Sequence, residues 1–218
     1  MSPGHPSVPE PIRPATDEAE LRDRIATMFA FMNSVVRRSA ESAETVEDYA
    51  MHLEGRLSAI ARGQDIDLRG RHQKGVDLDY LLAEELLAHG AKEGQQLALA
   101  GPSIELRHGA ASLLGLALHE LAVNAVKFGG LSRPTGHIAV RWWVDHDGDD
   151  SLRLQWHEAI GAAMPAATRR SGFGTELIER TLAHELGAEG SLTFGEDWLQ
   201  CDIEVPMSAD VAVGQTGP

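Results

Sequence analysis

The chain has 218 residues, of which 43% are hydrophobic and 24% are charged, so it can bury a core in one or two domains. The net charge of −14 argues against nucleic acid or an anionic membrane as the main partner. The only cysteine, Cys201, excludes an intrachain disulfide, and its strand-like surroundings favour a packed thiol. No uninterrupted apolar run approaches a membrane span, and the proline-rich start lacks a signal peptide's apolar segment. We therefore expect a cytoplasmic protein with no membrane partner.

Two helices are predicted after a leader at residues 1–16 that we expect to be disordered. From Asp17 to about Ser39, apolar residues recur at steps of four and three, which predicts a helix with a heptad-like seam. A second apolar stripe predicts another helix that ends near Gly63. Two antiparallel helices cannot bury both stripes by themselves. We expect a helical hairpin at residues 17–64, and a homodimer built from residues 18–63.

A mixed domain is expected at residues 77–207, between a charged linker at 65–76 and a tail at 208–218. Helices and paired strands alternate three times, which predicts an α/β sandwich with helices on one face of a mixed, mostly antiparallel sheet. The predicted elements are a helix at 77–89 with Asp77 as N-cap, strands at 96–100 and 104–107, a helix at 108–128, a strand pair at 137–144 and 151–156, a helix at 174–186, and strands at 191–194 and 199–205.

The long helix at 108–128 carries three polar side chains on an otherwise apolar surface. Glu120, Asn124 and Lys127 fall within about 60° of one another around the helix axis. Such a strip is either the solvated face of an amphipathic helix or part of a site. Its chemistry suits a magnesium nucleotide, because an amide oxygen can hold Mg²⁺ and a carboxylate can orient or deprotonate a water or hydroxyl beside a γ-phosphate. Lys127 can offset phosphate charge, and Phe128 offers a face for the base.

Two further stretches contribute candidate site residues. WHEAIG, residues 156–161, lies at the end of a strand, where the carboxylate of Glu158 suits an exocyclic amine such as that of adenine. SGFGTEL, residues 171–177, lies at the start of a helix, where Gly172 and Gly174 let the backbone approach a phosphate. Thr175 adds a hydroxyl. A Gly-x-Gly alone fits an ordinary helix N-terminus better than a phosphate site, so the combination of stretches carries the interpretation.

HELAVNAVKFGGL, WHE followed by Gly161, and GFGTELIER resemble the N, G1 and G2 boxes of the HWE group of sensor histidine kinases. The resemblance implies an ATP-binding domain of the Bergerat (GHKL) type and a helical hairpin for dimerisation and phosphotransfer. It implies that Asn124 holds Mg²⁺, that Glu120 assists phosphoryl chemistry, and that Lys127 contacts phosphate. The other residues it implies for ATP are Phe128, Glu158, Gly161, Gly172, Gly174 and Thr175.

The sequence departs from the family pattern at two places. The family's first helix carries a phosphoacceptor histidine, and here Asp23 occupies that position, with Ala26 and Thr27 in place of the usual Lys and Asn. In the G1 region, Ile160 and Ala162 stand where the family tends to have Gly and Pro. A β-branched side chain at position 160 would stiffen or crowd the nucleotide loop.

Three functions follow from these observations. The first is a degenerate histidine kinase core that binds ATP and Mg²⁺ and docks a receiver domain or another kinase, without autophosphorylation on histidine. The second is an active kinase that phosphorylates a partner protein or Asp23 itself. The third is a phosphotransfer scaffold with a vestigial ATP site. ATP binding distinguishes the first two from the third, and transfer of the γ-phosphate distinguishes the first from the second.

Overall fold

The computed structural model describes residues 14–41, 43–64, 75–91, 96–161, 172–208 and 211–215. Its N-terminal part is a pair of helices, α1 (Pro14–Glu41) and α2 (Val46–Gly63). Thr45 caps α2, because its hydroxyl accepts a hydrogen bond from the Asp48 N–H at 3.0 Å. Both predicted helices are confirmed. Helix α1 begins inside the segment expected as a leader, and residues 1–13 of that leader lie outside the described residues.

The second part begins with a short strand, β1 (Val76–Asp77), that leads directly into helix α3 (Leu78–Ala88). Asp77 is the predicted N-cap, and its Oδ1 accepts hydrogen bonds from the N–H groups of Asp79 and Tyr80 at 2.9 and 3.3 Å. The expected linker is too long by its last residue, because Val76 belongs to the strand. Residues 65–74 of that linker lie outside the described part of the chain.

The central helix, α4 (His108–Lys127), is buried on most of its surface. Leu114, Leu118 and Leu121 belong to the same core cluster as Trp156. Within the described residues, α4 is the one helix long and apolar enough to cross a membrane, but 72% of its most apolar 18-residue window is buried inside the fold. It is therefore the core helix of the α/β domain.

The strands beyond β1 in the described residues are β2 (Leu97–Ala100), β3 (Ile104–Leu106), β4 (His137–Asp145), β5 (Ser151–Ala159), β6 (Glu189–Phe194), β7 (Trp198–Pro206) and β8 (Ala212–Gln215). Five of them form one sheet in the order β2-β4-β5-β7-β6. Only the β2–β4 pair in this sheet is parallel, so the predicted mixed, mostly antiparallel sheet is confirmed. Every second residue of β7 is buried, including Cys201, and burial raises the pKa of its thiol.

The predicted helix at 174–186 is confirmed as a continuous helical segment with a change of winding. It consists of α5 (Phe173–Glu176), a π-helical turn (Leu177–Thr181) and α6 (Leu182–Leu186). Gly187 ends the segment with a φ of 64°, a left-handed conformation that suits glycine. No pattern in the sequence predicts the π-helical turn. Such turns are rare and are frequent at functional sites.

Two expectations about the strands are wrong. Strands β2 and β3 do not pair with each other, because β2 pairs with β4 while β3 joins a separate sheet in the order β1-β3-β8. The turn between them packs on Trp142, whose Nε1 donates a hydrogen bond to the Pro102 carbonyl at 2.7 Å. The second error concerns the expected tail at 208–218, since Ala212–Gln215 forms β8 and pairs with β3.

Candidate functional site

A cleft of about 510 Å³ lies where α4, the end of β5 and the start of α5 meet. Its size falls in the range of about 300–1,000 Å³ that is usual for small-molecule sites. The cleft brings together most of the residues that the sequence singled out. Of the candidate residues, those that line it are Glu120, Asn124, Lys127, Phe128, Glu158, Gly172, Gly174 and Thr175.

Among the candidate residues with described side chains, Gly161 is the one that does not line the cleft. Gly161 follows the cleft residue Ile160 and adopts a φ of 72°, which favours glycine at that position. Asp23 lies within α1, and its side chain is outside the described part of the structure. Ile160, the departure noted in the sequence, is buried in the cleft wall, and its N–H donates to the Asp197 carbonyl at 2.8 Å. The G1 region therefore accommodates the bulkier side chain.

The polar strip of α4 runs from the interior of the fold to its surface. Glu120 is buried, with 8% of its surface exposed, whereas Asn124, Lys127 and Phe128 are exposed. Phe128 is the C-cap residue of α4, where the chain leaves the helix. The strip is consequently a wall of the cleft and not an ordinary solvated face. Its amide and ammonium groups are open to a ligand.

Glu120 is held by an arginine from the helical hairpin. Arg56 of α2 donates from Nε to Glu120 Oε1 at 2.7 Å and from Nη2 to Oε2 at 3.2 Å. This two-point geometry is the strong form of an arginine–carboxylate pair. The guanidinium also donates to Ser39 Oγ at 2.8 Å, and it lies 4.4 Å from the centre of the Phe173 ring. One buried arginine thus joins α1, α2, α4 and α5 at the carboxylate of the cleft.

A second residue of α2 reaches the open end of the strip. His52 Nε2 lies 3.0 Å from Lys127 Nζ, and both residues line the cleft. Burial and the neighbouring charges of Lys127 and Arg56 lower the pKa of His52, so the imidazole is neutral at neutral pH and can accept a hydrogen bond from the ammonium. The sequence indicated neither this contact nor that of Arg56, because both join residues far apart in the chain.

The Trp-x-Glu pair of the G1 stretch forms one buried unit. Trp156 and Glu158 are two residues apart on β5 and share a face of the strand. Trp156 Nε1 donates to Glu158 Oε1 at 2.9 Å, and the Gly130 N–H donates to Oε2 at 2.8 Å. Burial raises the pKa of Glu158, although these two hydrogen bonds oppose the rise. Glu158 is therefore fixed in place, and each carboxylate oxygen keeps a lone pair for a further donor.

Gly174 sets the distance between α5 and α4. A Cβ atom on Gly174 would lie 2.9 Å from Cβ of Glu120, which is closer than side chains pack. The second glycine of GFGT therefore lets α5 approach the carboxylate of the cleft. The same glycine lies near the amide nitrogen of Asn124, at 3.7 Å from that hypothetical Cβ. Residues 162–171, which precede this glycine stretch, lie outside the described residues.

The fold resembles that of solved histidine kinase domains. A solved histidine kinase domain from the Erythrobacter litoralis blue-light-activated histidine kinase matches with a TM-score of 0.53 and 18% identity, over 83% of this chain and 96% of that one. A longer structure of a blue-light-activated histidine kinase from the same organism matches with a TM-score of 0.60 and 18% identity, over 87% of this chain and 60% of that one. At this identity the likeness concerns the fold.

The amino-acid sequence is also similar to that of known histidine kinases. The HWE histidine kinase family matches residues 20–103. The blue-light-activated histidine kinase of Brucella anthropi is 30% identical over 193 residues, which are 88% of this chain and 39% of that protein. Blue-light-activated histidine kinase 1 of Erythrobacter litoralis is 32% identical over 192 residues, 87% of this chain and 52% of that protein. The chain thus spans about half the length of these curated relatives or less. Its sequence is similar to that of HWE-type histidine kinases.

Proposed function

We propose that the chain is the ATP-binding core of a two-component signalling protein, and that it does not phosphorylate itself on histidine. The observation that carries the proposal is the gathering of the N, G1 and G2 stretches around one cleft of nucleotide size. The residues fit Mg-ATP, because Mg²⁺ needs few protein oxygens when phosphates and waters complete its shell. Asn124 would hold the metal, Lys127 and Thr175 would contact phosphate, and Phe128 and Glu158 would contact the base.

Glu120 is the residue suited to assist phosphoryl transfer, by orienting or deprotonating the accepting group. In the described arrangement both of its oxygens are bonded to Arg56. This two-point pair holds the carboxylate in place, so opening it would free Glu120 to move toward the accepting group. We assign this arrangement to a resting form of the core, in which α2 restrains the carboxylate.

The sequence of helix α1 supports the proposal of a degenerate kinase. Residues 14–41 form α1 and contain no histidine in the sequence, and Asp23 occupies the family's acceptor position. A carboxylate is a weaker nucleophile toward phosphate than an imidazole, and its product would be an energetic acyl phosphate. The protein would then act by docking a receiver domain or another kinase. ATP would control the conformation that docks.

The surface of the hairpin supports a homodimer through residues 18–63. Ile25, Met28, Phe29 and Val36 of α1 are all exposed in the single chain, with Phe29 at 61%. Burying side chains of this kind stabilises an association by about 1.5–3 kcal/mol each. Helix α1 therefore offers an apolar surface that a second copy would cover, while α2 already packs on α4.

Calorimetry with Mg-ATP tests the nucleotide site. We expect one site in the wild type and a loss of at least about tenfold in Asn124→Ala, which corresponds to about 1.4 kcal/mol. The loss should be smaller in EDTA, because only the metal contact depends on Mg²⁺. Asn33→Ala is the matched control, since Asn33 is exposed on α1. Absence of binding at millimolar nucleotide would contradict the proposal and favour the vestigial scaffold.

A second candidate function is a kinase that acts on a partner protein. It is favoured by the presence of Glu120, Asn124 and Lys127 together in the cleft. Incubation with γ-labelled ATP and a panel of receiver domains separates the two functions. We expect no label on the chain itself or on the partner. Label on a partner that disappears in Glu120→Gln would establish the second function.

A further inference from the structure

Next to Glu120 in the sequence, His119 is one of three metal-binding side chains that converge. Glu85 lies on α3, His89 is the C-cap residue of that helix, and His119 lies on α4. His119 Nδ1 is 2.7 Å from Glu85 Oε1, His89 Nε2 is 3.1 Å from the same oxygen, and the two ring nitrogens are 3.3 Å apart. Glu85 is fully buried, His119 is buried, and His89 is partly exposed.

We propose that Glu85, His89 and His119 form a Zn²⁺ site. Two imidazoles and a carboxylate are a ligand set that zinc accepts, with an open fourth position for water. Zinc holds such ligands at about 2.0–2.2 Å in a tetrahedron, which places the ligand atoms about 3.3 Å from one another. The three observed separations lie close to that value or slightly below it. An ion entering the cluster needs small side-chain movements and no rearrangement of the backbone.

The surroundings of the cluster hold the ligands in position. Arg62 of α2 forms an ion pair with Glu85 Oε2, which leaves Oε1 as the oxygen for the metal. A hydrogen bond to the second oxygen of a ligating carboxylate is a common way to orient it. The opposite edge of the His119 ring packs against Gly55 of α2, where an added Cβ would lie 2.9 Å from Nε2. Both contacts come from the helix that also restrains Glu120.

The cluster differs chemically from the magnesium site proposed for the cleft. Imidazole nitrogens suit Zn²⁺, whereas Mg²⁺ prefers oxygen ligands and retains its water. Asn124 and the phosphates would serve Mg²⁺, and none of the three zinc ligands is needed for that. His119 does line the cleft, so a zinc ion would lie next to Glu120 and would tie α3 to α4 at that point. Zinc would act here as a structural ion that stiffens the wall of the cleft.

Titration of the EDTA-treated full chain with Zn²⁺ alone tests the proposal by calorimetry. We expect one zinc ion per chain and a loss of about 100-fold in affinity in His89→Ala, in keeping with losses of 10–100-fold from even the outer-shell partners of metal ligands. His146→Ala is the control, because His146 is an exposed histidine that pairs with Asp150 on a surface turn. It should bind zinc as the wild type does. Equal binding by wild type and His89→Ala would overturn the proposal, as would absence of wild-type binding.

Two further measurements test the zinc site without relying on the correct folding of a single variant. Co²⁺ in place of Zn²⁺ should give the strong visible absorption of a four-coordinate ion in the wild type and in His146→Ala, and not in Glu85→Gln. Zinc should also raise the melting temperature of the wild type, since an ion that binds only the folded state stabilises it. An octahedral cobalt spectrum would overturn the proposed site. So would a zinc-induced rise in melting temperature that is as large in His89→Ala as in the wild type.

Discussion

The two helices of the hairpin face different environments. Helix α2 packs into the α/β domain: Arg56, Ala59 and Gly63 are buried, and Ser112 of α4 donates a hydrogen bond to the Ile60 carbonyl at 2.9 Å. Helix α1 leaves Met28 and Phe29 more than half exposed. The difference indicates that α2 packs into the α/β domain, while α1 leaves apolar side chains exposed. The two helices of the predicted hairpin therefore differ in what they contact.

The two helices also differ in the candidate site residues that they contact or contain. Helix α2 contacts Glu120, which matches the family pattern and lines the cleft. The position that departs from the family, Asp23, lies on α1. Helix α2 is thus the element through which a change in the hairpin can reach the cleft. The substitutions below test this division, in order of decreasing expected effect on folding free energy.

The largest effect is expected for Arg56→Ala. The variant leaves the carboxylate of Glu120 buried without its cation, and removing one partner of a buried pair costs about 3–5 kcal/mol. Urea denaturation of the ATP-free protein measures the loss. Arg38→Ala is the matched control, because Arg38 pairs with Glu176 and Glu41 at the surface and its loss should cost about 0–1 kcal/mol.

The double variant Arg56→Met, Glu120→Gln refines the first test. It removes both charges, so most of the lost stability should return, as it does when a buried pair is replaced by uncharged side chains. Equal losses from Arg56→Ala and Arg38→Ala would show that α2 is not anchored through Glu120. A double variant as unstable as Arg56→Ala would point to lost packing of the arginine stem as the cause.

A smaller effect is expected for Gly63→Ala at the end of α2. An added Cβ would lie 2.3 Å from the Ser112 backbone nitrogen, so α2 and α4 must separate there. Overpacking of this kind costs about 1–3 kcal/mol. Gly109→Ala is the control: no atom lies within 4 Å of its hypothetical Cβ, and alanine should stabilise the first turn of α4 by about 0.5–1 kcal/mol. Opposite signs for the two glycines in thermal or urea unfolding are the expected result. A neutral Gly63→Ala would mean that the helices are not in close contact.

These contacts show what the sequence could and could not predict. Periodic apolar stripes predicted the long helices, and alternation predicted β4, β5 and β7, because local spacing determines which face is buried. The strands β1 and β8 were missed, since two to four residues are too few to show a period. Arg56 was missed because its partner is 64 residues away.

Other features left signals that were overlooked. Glu85 follows Leu78, Leu81 and Leu82 at core spacing on α3, so a carboxylate was predictable at a buried position. Burial opposes its ionisation, but hydrogen bonds from His119 and His89 and the charge of Arg62 lower the pKa of Glu85 to about 2. Most residues that the family motifs singled out line the cleft, although Gly161 does not. They carried no information on which of those residues the hairpin holds, because that depends on tertiary contact.

The double substitution Met28→Glu, Phe29→Glu tests whether the apolar surface of α1 forms the proposed dimer. Both side chains are exposed, so the folding free energy of the monomer should change by only about 0.5 kcal/mol for each substitution. The proposed dimer should dissociate, because two apolar contacts become charged ones. Light scattering at micromolar concentration measures the mass. Leu87→Glu, at an exposed leucine of α3, should leave the mass unchanged. A wild-type monomer, or a dimer that survives the double substitution, would assign this surface to a different partner.

The smallest effect on stability, and the most informative about chemistry, is expected for Asp23→His. Asp23 lies well beyond the first turn of α1, where a carboxylate gains no stabilisation from the helix dipole. Aspartate and histidine also have similar helix propensities, so the folding free energy should change by about 0.5 kcal/mol or less. If α1 has lost only the acceptor, the variant should gain acid-labile, base-stable label from γ-labelled ATP.

Asn33→His, a histidine elsewhere on the same helix, should remain unlabelled, and so should Asp23→His combined with Asn124→Ala. An Asp23→His variant that binds ATP without labelling would show that Ala26, Thr27 or Ile160 also blocks transfer. Hydroxylamine-sensitive label on the wild type that is lost in Asp23→Asn would make Asp23 a true acceptor and contradict the degenerate kinase.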